Sequence, residues 1–442
     1  MSTLLIKNGV IVTLGQNNKV LYDSAVLVQD GIVKKIGPKE EFKAQYDKVI
    51  DAHGKVVLPG FINAHMHFYS TFARGLGKAA PSKDFMEVLK NLWWRLDKKL
   101  TLKDCYYSTL VMLLSAIRHG TTTLIDHHAS PGAVKGSLQE VAKAVKESGL
   151  RASLCYELSD RDGEEISKQG IEENVEFFRY CKENKNDYLK SLFGLHASFT
   201  INDKTMETVG KLGAELGTGF HIHAAEADSD ENYNLEHFDM RVIERLEKYG
   251  ILGPKTITAH CVHVNEHEMD ILAKTGTIVV HNPQSNMNNA VGVADIIKMQ
   301  SKGILVGLGT DAMTVNMMEE LRVALWAQHL SQQNPSCGFM EAASALLFNN
   351  AKIVNKFWDI PLGSIDEGAA GDIVLIDYFT PTPFNEQTIL GHIVFGISQS
   401  AVDTTIVGGK VLMENKKLTL NIDEEKLAYE ANELATALWD RF

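Results

Sequence analysis

The stretch Pro59-Gly60-Phe61-Ile62-Asn63-Ala64-His65-Met66-His67 reads as a buried parallel strand that ends in two histidines. Val56, Val57 and Leu58 lead into it, and Pro59-Gly60 bends the entry. On a strand, residues two apart leave on the same side, so His65 and His67 project together. Two imidazoles at a strand end make half of a metal site. Alone, the pair also fits two core or surface histidines. Further ligand-type residues at other strand ends decide between the two.

Downstream, apolar strands alternate with amphipathic segments. Residues 56–67, 121–127, 151–158, 191–199, 219–226, 256–263, 276–281 and 304–311 read as strands. Residues 102–118, 138–148, 163–183, 204–216, 235–249 and 266–274 read as helices between them. Eight strand-then-helix units predict an α/β fold, a closed (β/α)8 TIM-like barrel. The rival, a doubly wound open sheet, calls for a Gly-rich nucleotide loop after an early strand, and the sequence has none.

The flanks have another texture. Residues 1–58 read as short strands, with Asp30-Gly31 as a hairpin signal. After Pro361, residues 371–377 and 401–414 return to strand texture, with Gly408-Gly409 as a turn. The two ends are expected to build one small β-sandwich: residues 1–58 and 362–442, around a barrel of residues 59–361. A final helix carries Leu427, Ala431, Leu434 and Leu438 on one stripe, with Asn421 and Glu424 as its capping box. It is expected to pack on the barrel or on a second subunit.

Composition excludes several classes. The chain has 442 residues, 45% of them hydrophobic, and a formal charge of −12. The acidic balance argues against nucleic acid or an anionic membrane as partner. No run is long enough for a transmembrane helix, and the first residues do not form a signal peptide. Five widely spaced cysteines without a CxxC read as reduced thiols of a cytoplasmic protein, Cys261 among them as a small buried hydrophobe.

In a parallel barrel the C-terminal strand ends form the active site. Those ends carry His65 and His67, then His223 and Glu226, His260, His281 and Asp311. Any single one fits a capping or core residue; their recurrence at one face does not. The pattern His65-x-His67, His223, His260, Asp311 resembles the amidohydrolase superfamily. His223-Ala224-Ala225-Glu226 with His260-Cys261-Val262-His263 is similar to its cytosine deaminase, guanine deaminase and atrazine chlorohydrolase branch. Residues 89–97, Ile125-Asp126-His127-His128-Ala129-Ser130-Pro131 and Ser285-Asn286-Met287-Asn288-Asn289 resemble the SsnA group of aminohydrolases.

The resemblance implies one divalent metal, zinc or alternatively iron, held by His65, His67, His223 and Asp311. It implies a water activated there, with Asp311, His260 and Glu226 as the catalytic set. The fourth strand has no lysine to bridge a second ion, which points to the one-metal subtype. Asn288 stands where the branch often has lysine. The implied activity is aminohydrolysis of a small heterocycle such as a purine or pyrimidine, by a homo-oligomer, expected to be a dimer. The alternatives are cyclic-amide hydrolysis or dechlorination by the same activated water, and a catalytically silent homologue, which would lack ligands. Candidate substrate contacts are His196, Arg74, Trp93, His128 and His281. His196 equally fits a structural histidine, and the Trp93-Trp94 pair fits packing of the long loop at 68–100. Of His127 and His128, at most one faces the pocket.

Overall fold

The computed structural model describes residues 2–15 and 18–442. The expected barrel strands are present as two parallel arcs. One runs Phe61–Met66, Thr121–Asp126, Arg151–Leu154, Leu189–Ser191. The other runs Phe193–Ala197, Phe220–Ala224, Ile257–His260, Ile278–His281, Val306–Leu308. The fourth barrel strand is split at Leu192, one piece in each arc. Both seams are hydrogen-bonded. At one, Thr310 N and Asp311 N donate to His65 O at 2.9 and 3.0 Å. At the other, His196 N donates to Leu158 O at 2.8 Å. Gly309 permits the first closure: a Cβ there would lie 2.7 Å from His65 O and 2.6 Å from Asn282 Oδ1.

Two sequence expectations need correction. Residues 56–67 are not one strand. Pro59-Gly60 breaks them, so Val56–Pro59 joins the end sheet and Phe61–Met66 opens the barrel. Residues 235–249 are not one helix. Asp239 takes a left-handed φ of 53° and separates Asp228–Phe238 from Val242–Lys248.

Both chain ends meet in a single nine-stranded sheet, in which Val56–Pro59 pairs with Thr3–Val12 on one side and with Ile373–Ile376 on the other. Leu4, Ile6, Val26, Val28, Val57, Ile373 and Ile406 share one buried core, so strands from both ends close over it together. The Asp30-Gly31 hairpin is present, with φ of 50° and 85° at the two turn residues, as a two-residue primed turn requires. The final helix, Glu424–Arg441, packs on the chain's own helix Leu102–Arg118: Tyr107 Oη donates to Glu430 at 2.6 Å, and Arg441 pairs with Asp104 at 2.9 Å. Its N-cap is Asp423, not Asn421, because the Asp423 carboxylate accepts from Lys426 N. All five cysteines are free and Cys261 is buried. No helix among the described residues is long and apolar enough to cross a membrane.

A buried ion pair ties barrel to sheet. Arg151, on the third barrel strand, reaches Asp372 through Nε at 2.7 Å and a terminal nitrogen at 3.0 Å, and Asp372 also accepts from Gly408 N at 2.7 Å. Removing one partner strands a buried charge, so Asp372→Ala is expected to cost about 3–5 kcal/mol. Urea unfolding measures it; an unchanged midpoint would show the two parts are held by packing alone.

Candidate active site

The strand ends carry the site, and the backbone is unusual there. Ala225, His260, Cys261 and Asp311 have φ of 48°, 75°, 50° and 51°. Left-handed residues other than glycine cost roughly 1–3 kcal/mol each and persist only where surroundings over-determine them. Here cross-strand bonds do so, such as Cys261 N to Ala224 O at 2.9 Å and Asp311 N to His65 O at 3.0 Å.

His65, His67, His223 and Asp311 converge at the barrel mouth. His67 Nε2 lies 3.2 Å from His223 Nε2 and 3.0 Å from Asp311 Oδ1, and His65 Nε2 lies 3.7 Å from Asp311 Oδ1. Tetrahedral ligands at zinc-like bond lengths stand about 3.3 Å apart. Tautomers supply a stricter test. His67 Nδ1 donates to His127 O at 2.5 Å, and His223 Nδ1 donates to His196 O at 2.9 Å. With both Nδ1 protons so engaged, the neutral rings turn two Nε2 lone pairs toward each other at 3.2 Å. That arrangement calls for a cation between them. Without such a cation the site draws in a proton instead: burial disfavours charge on His67, yet Asp311 and Glu157 outweigh it and lift the imidazole to about 9, so positive charge is favoured at this point. His223 is held well below its ordinary value by burial. His65 Nε2 is buried with no hydrogen-bond partner. Donor atoms within 4.8 Å of one another are those of His65, His223, His260 and Asp311, and those of His67, His127, Glu157 and His223, so the donor chemistry at this mouth fits a divalent ion.

Beside this centre, Glu226 Oε2 faces His260 Nε2 at 3.5 Å, and Glu226 Oε1 accepts from Asn289 Nδ2 at 3.4 Å. Burial pushes Glu226 up to about 7, against the pull of His260. A carboxyl so placed can hold a proton near neutrality and release it. Asp311 Oδ2 accepts from Ser285 Oγ.

A cleft opens above. His67, His223, Glu226 and Asp311 form its floor; Tyr69, Phe85, Leu89, Trp93, Trp94 and Phe199 give it an aromatic and apolar wall. His196 lines it and lies 3.3 Å from Glu157. Trp93 and Trp94 both reach the cleft.

Three expected contacts do not reach that wall. Arg74 ends the turn Phe68–Ala73 and points at Met112 Sδ, 3.2 Å away. His128 bonds Ser130 Oγ at 3.0 Å, because its neighbour His127 takes the inward side, stacked on His221 at 4.4 Å. His281 is buried within the barrel, and burial lowers it to about 3.

Other wall residues escaped sequence reasoning. Glu157 lies just beyond the third strand, as Glu226 lies just beyond the fifth, and the same rule would have found it. Arg161 pairs with Asp97 and Asp162 and lies over the Trp94 ring. Asp97 and Arg161 are 64 positions apart, and no local pattern joins them.

A parallel barrel with histidines and Asp311 gathered at its mouth, and the buried Glu226 beside them, is the layout of a hydrolase site. The chain belongs to the amidohydrolase family, which residues 56–412 match. It is a hydrolase acting on carbon–nitrogen bonds. It is 34% identical over 432 residues to a 5'-deoxyadenosine deaminase of Methanobrevibacter smithii, covering 96% of each chain. It is 32% identical to a 5-methylthioadenosine/S-adenosylhomocysteine deaminase of Carboxydothermus hydrogenoformans, covering 97% of each. Its fold matches the crystal structure of a zinc-bound adenosine deaminase from Xanthomonas campestris with a TM-score of 0.87, at 22% identity, over 99% and 98% of the two chains.

Proposed function

We propose that the protein removes the exocyclic amine of a purine-type heterocycle, with adenosine-type nucleosides as the first substrates to try, and releases ammonia. One divalent ion is held by His65, His67, His223 and Asp311. Imidazole donors favour zinc, with Fe(II) as the other candidate. Bound there, the ion lowers the pKa of a water and polarises it for attack.

The residues do the rest. Asp311 accepts the proton that the attacking water gives up, and Ser285 orients the Asp311 oxygen not turned to the histidines. His260 orients the water from the side of Glu226. Glu226 delivers a proton to the leaving nitrogen, since an amine cannot depart as an anion. Chloride needs no such proton, so the single observation that carries the reading is the buried Glu226 carboxyl, held up to about 7 beside His260. The aromatic wall formed by Trp93, Trp94 and Phe199 suits a flat ring. Family membership and the full-length similarity to nucleoside deaminases support the same reading.

The test is a panel on zinc-loaded protein: 5'-deoxyadenosine, 5'-methylthioadenosine, guanine, cytosine and a cyclic amide. Free ammonia and ring absorbance are followed together. Ammonia equal to substrate consumed, with the ring intact, is expected for an adenosine-type compound. Ring opening without ammonia would replace deamination by cyclic-amide hydrolysis.

A further inference from the structure

The short helix Pro283–Asn288 and the residue after it touch three separate groups of the site. Ser285 Oγ donates to Asp311, Asn289 Nδ2 donates to Glu226 at 3.4 Å, and His260 Nδ1 donates to Asn286 Oδ1 at 2.7 Å. The last contact is the tightest constraint. His260 and Asn286 are both fully buried, so water cannot stand in for either. The Asn286 backbone is fixed, its N–H donating to Asn282 O at 3.0 Å and its carbonyl accepting from Val291 N at 3.0 Å, while its side-chain Nδ2 is buried without a hydrogen-bond partner.

An amide oxygen only accepts, so a hydrogen bond to it requires the His260 proton on Nδ1. His260 Nε2 is then a lone pair. It is buried, has no partner, and lies on the Glu226 side of the site. We propose that Asn286 is a positioning residue: it locks His260 in the Nδ1–H tautomer, so that Nε2 accepts from the attacking water. The opposite tautomer would point an N–H at Glu226 Oε2 and bind the oxygen that must carry a proton to the leaving nitrogen. The consequence for turnover rests on the deaminase reading; the tautomer lock does not.

The test uses full-length, zinc-loaded protein labelled with 15N-histidine. Long-range 1H–15N spectra report which ring nitrogen carries the proton, and His260→Gln assigns the His260 signals by their loss. The wild type is expected to show Nδ1 protonated. Asn286→Leu is expected to mix or reverse the tautomers, and Asn286→Asp to keep them, because a carboxylate still accepts from Nδ1–H. With 5'-deoxyadenosine, Asn286→Leu should lower kcat about 10- to 100-fold, with KM within about twofold and zinc content unchanged, and Asn286→Asp should recover part of it. An Nε2-protonated His260 in the wild type overturns the proposal, and this reading needs no Asn286 variant, only the His260→Gln assignment. So does an Asn286→Leu protein that keeps the tautomer, or one that loses its zinc. If no compound of the panel releases ammonia, the functional reading fails while the spectra still decide the tautomer.

Discussion

Glu226→Gln is expected to keep its metal and lose turnover by roughly 10²–10⁴-fold. The amide matches the carboxyl in size and still meets Asn289, so the fold and the ligand set are undisturbed. What disappears is the ability to take up and release a proton at Oε1 or Oε2. Burial has already set that ability near neutrality by raising Glu226 to about 7. Metal content by elemental analysis and kcat on the substrate found by the panel measure the two halves separately. A Glu226→Gln protein with normal kcat would place the proton route elsewhere, with Glu157 the next carboxyl on the cleft wall.

Removal of the metal is expected to abolish activity, by roughly 10³-fold or more, because water activation alone supplies several kcal/mol. Chelation followed by dialysis should give inactive protein, and stoichiometric zinc should restore it. His67→Ala should behave like the chelated protein and resist rescue. His67 has the shortest contacts of the set, to His223 and Asp311, and its outer nitrogen is already fixed by His127 O. Elemental analysis should find about one ion per chain; two at full occupancy would contradict the four-ligand centre. Activity that survives complete chelation would remove the metal from the reaction altogether.

The sequence by itself determined a good deal. The period of apolar strands and helices, ending in His65-x-His67, His223-x-x-Glu226, His260 and Asp311, was enough to place the barrel and its mouth. The reason is physical: strand ends in a parallel barrel share one face, so polar residues at corresponding positions must meet. The Asp30-Gly31 hairpin was legible for a similar local reason, since two left-handed residues in succession restrict the choice of amino acid.

Tertiary structure alone decided the rest. Residues 1–58 are expected to join the chain's other end, but nothing in Val56–Pro59 names Ile373–Ile376, more than 300 positions on, as their partner in that sheet. Arg74 and His128 carry suitable chemistry in suitable places along the chain, yet packing against Met112 and the inward turn of His127 send them away from the cleft. Asp97 and Arg161 come together only because a long loop folds over the barrel mouth. The tautomers of His67 and His223, which make the case for a cation, depend on carbonyls of His127 and His196 on neighbouring strands. Strand and helix periods report which face a residue occupies; they carry no information about which partner, on another strand or loop, that face will meet.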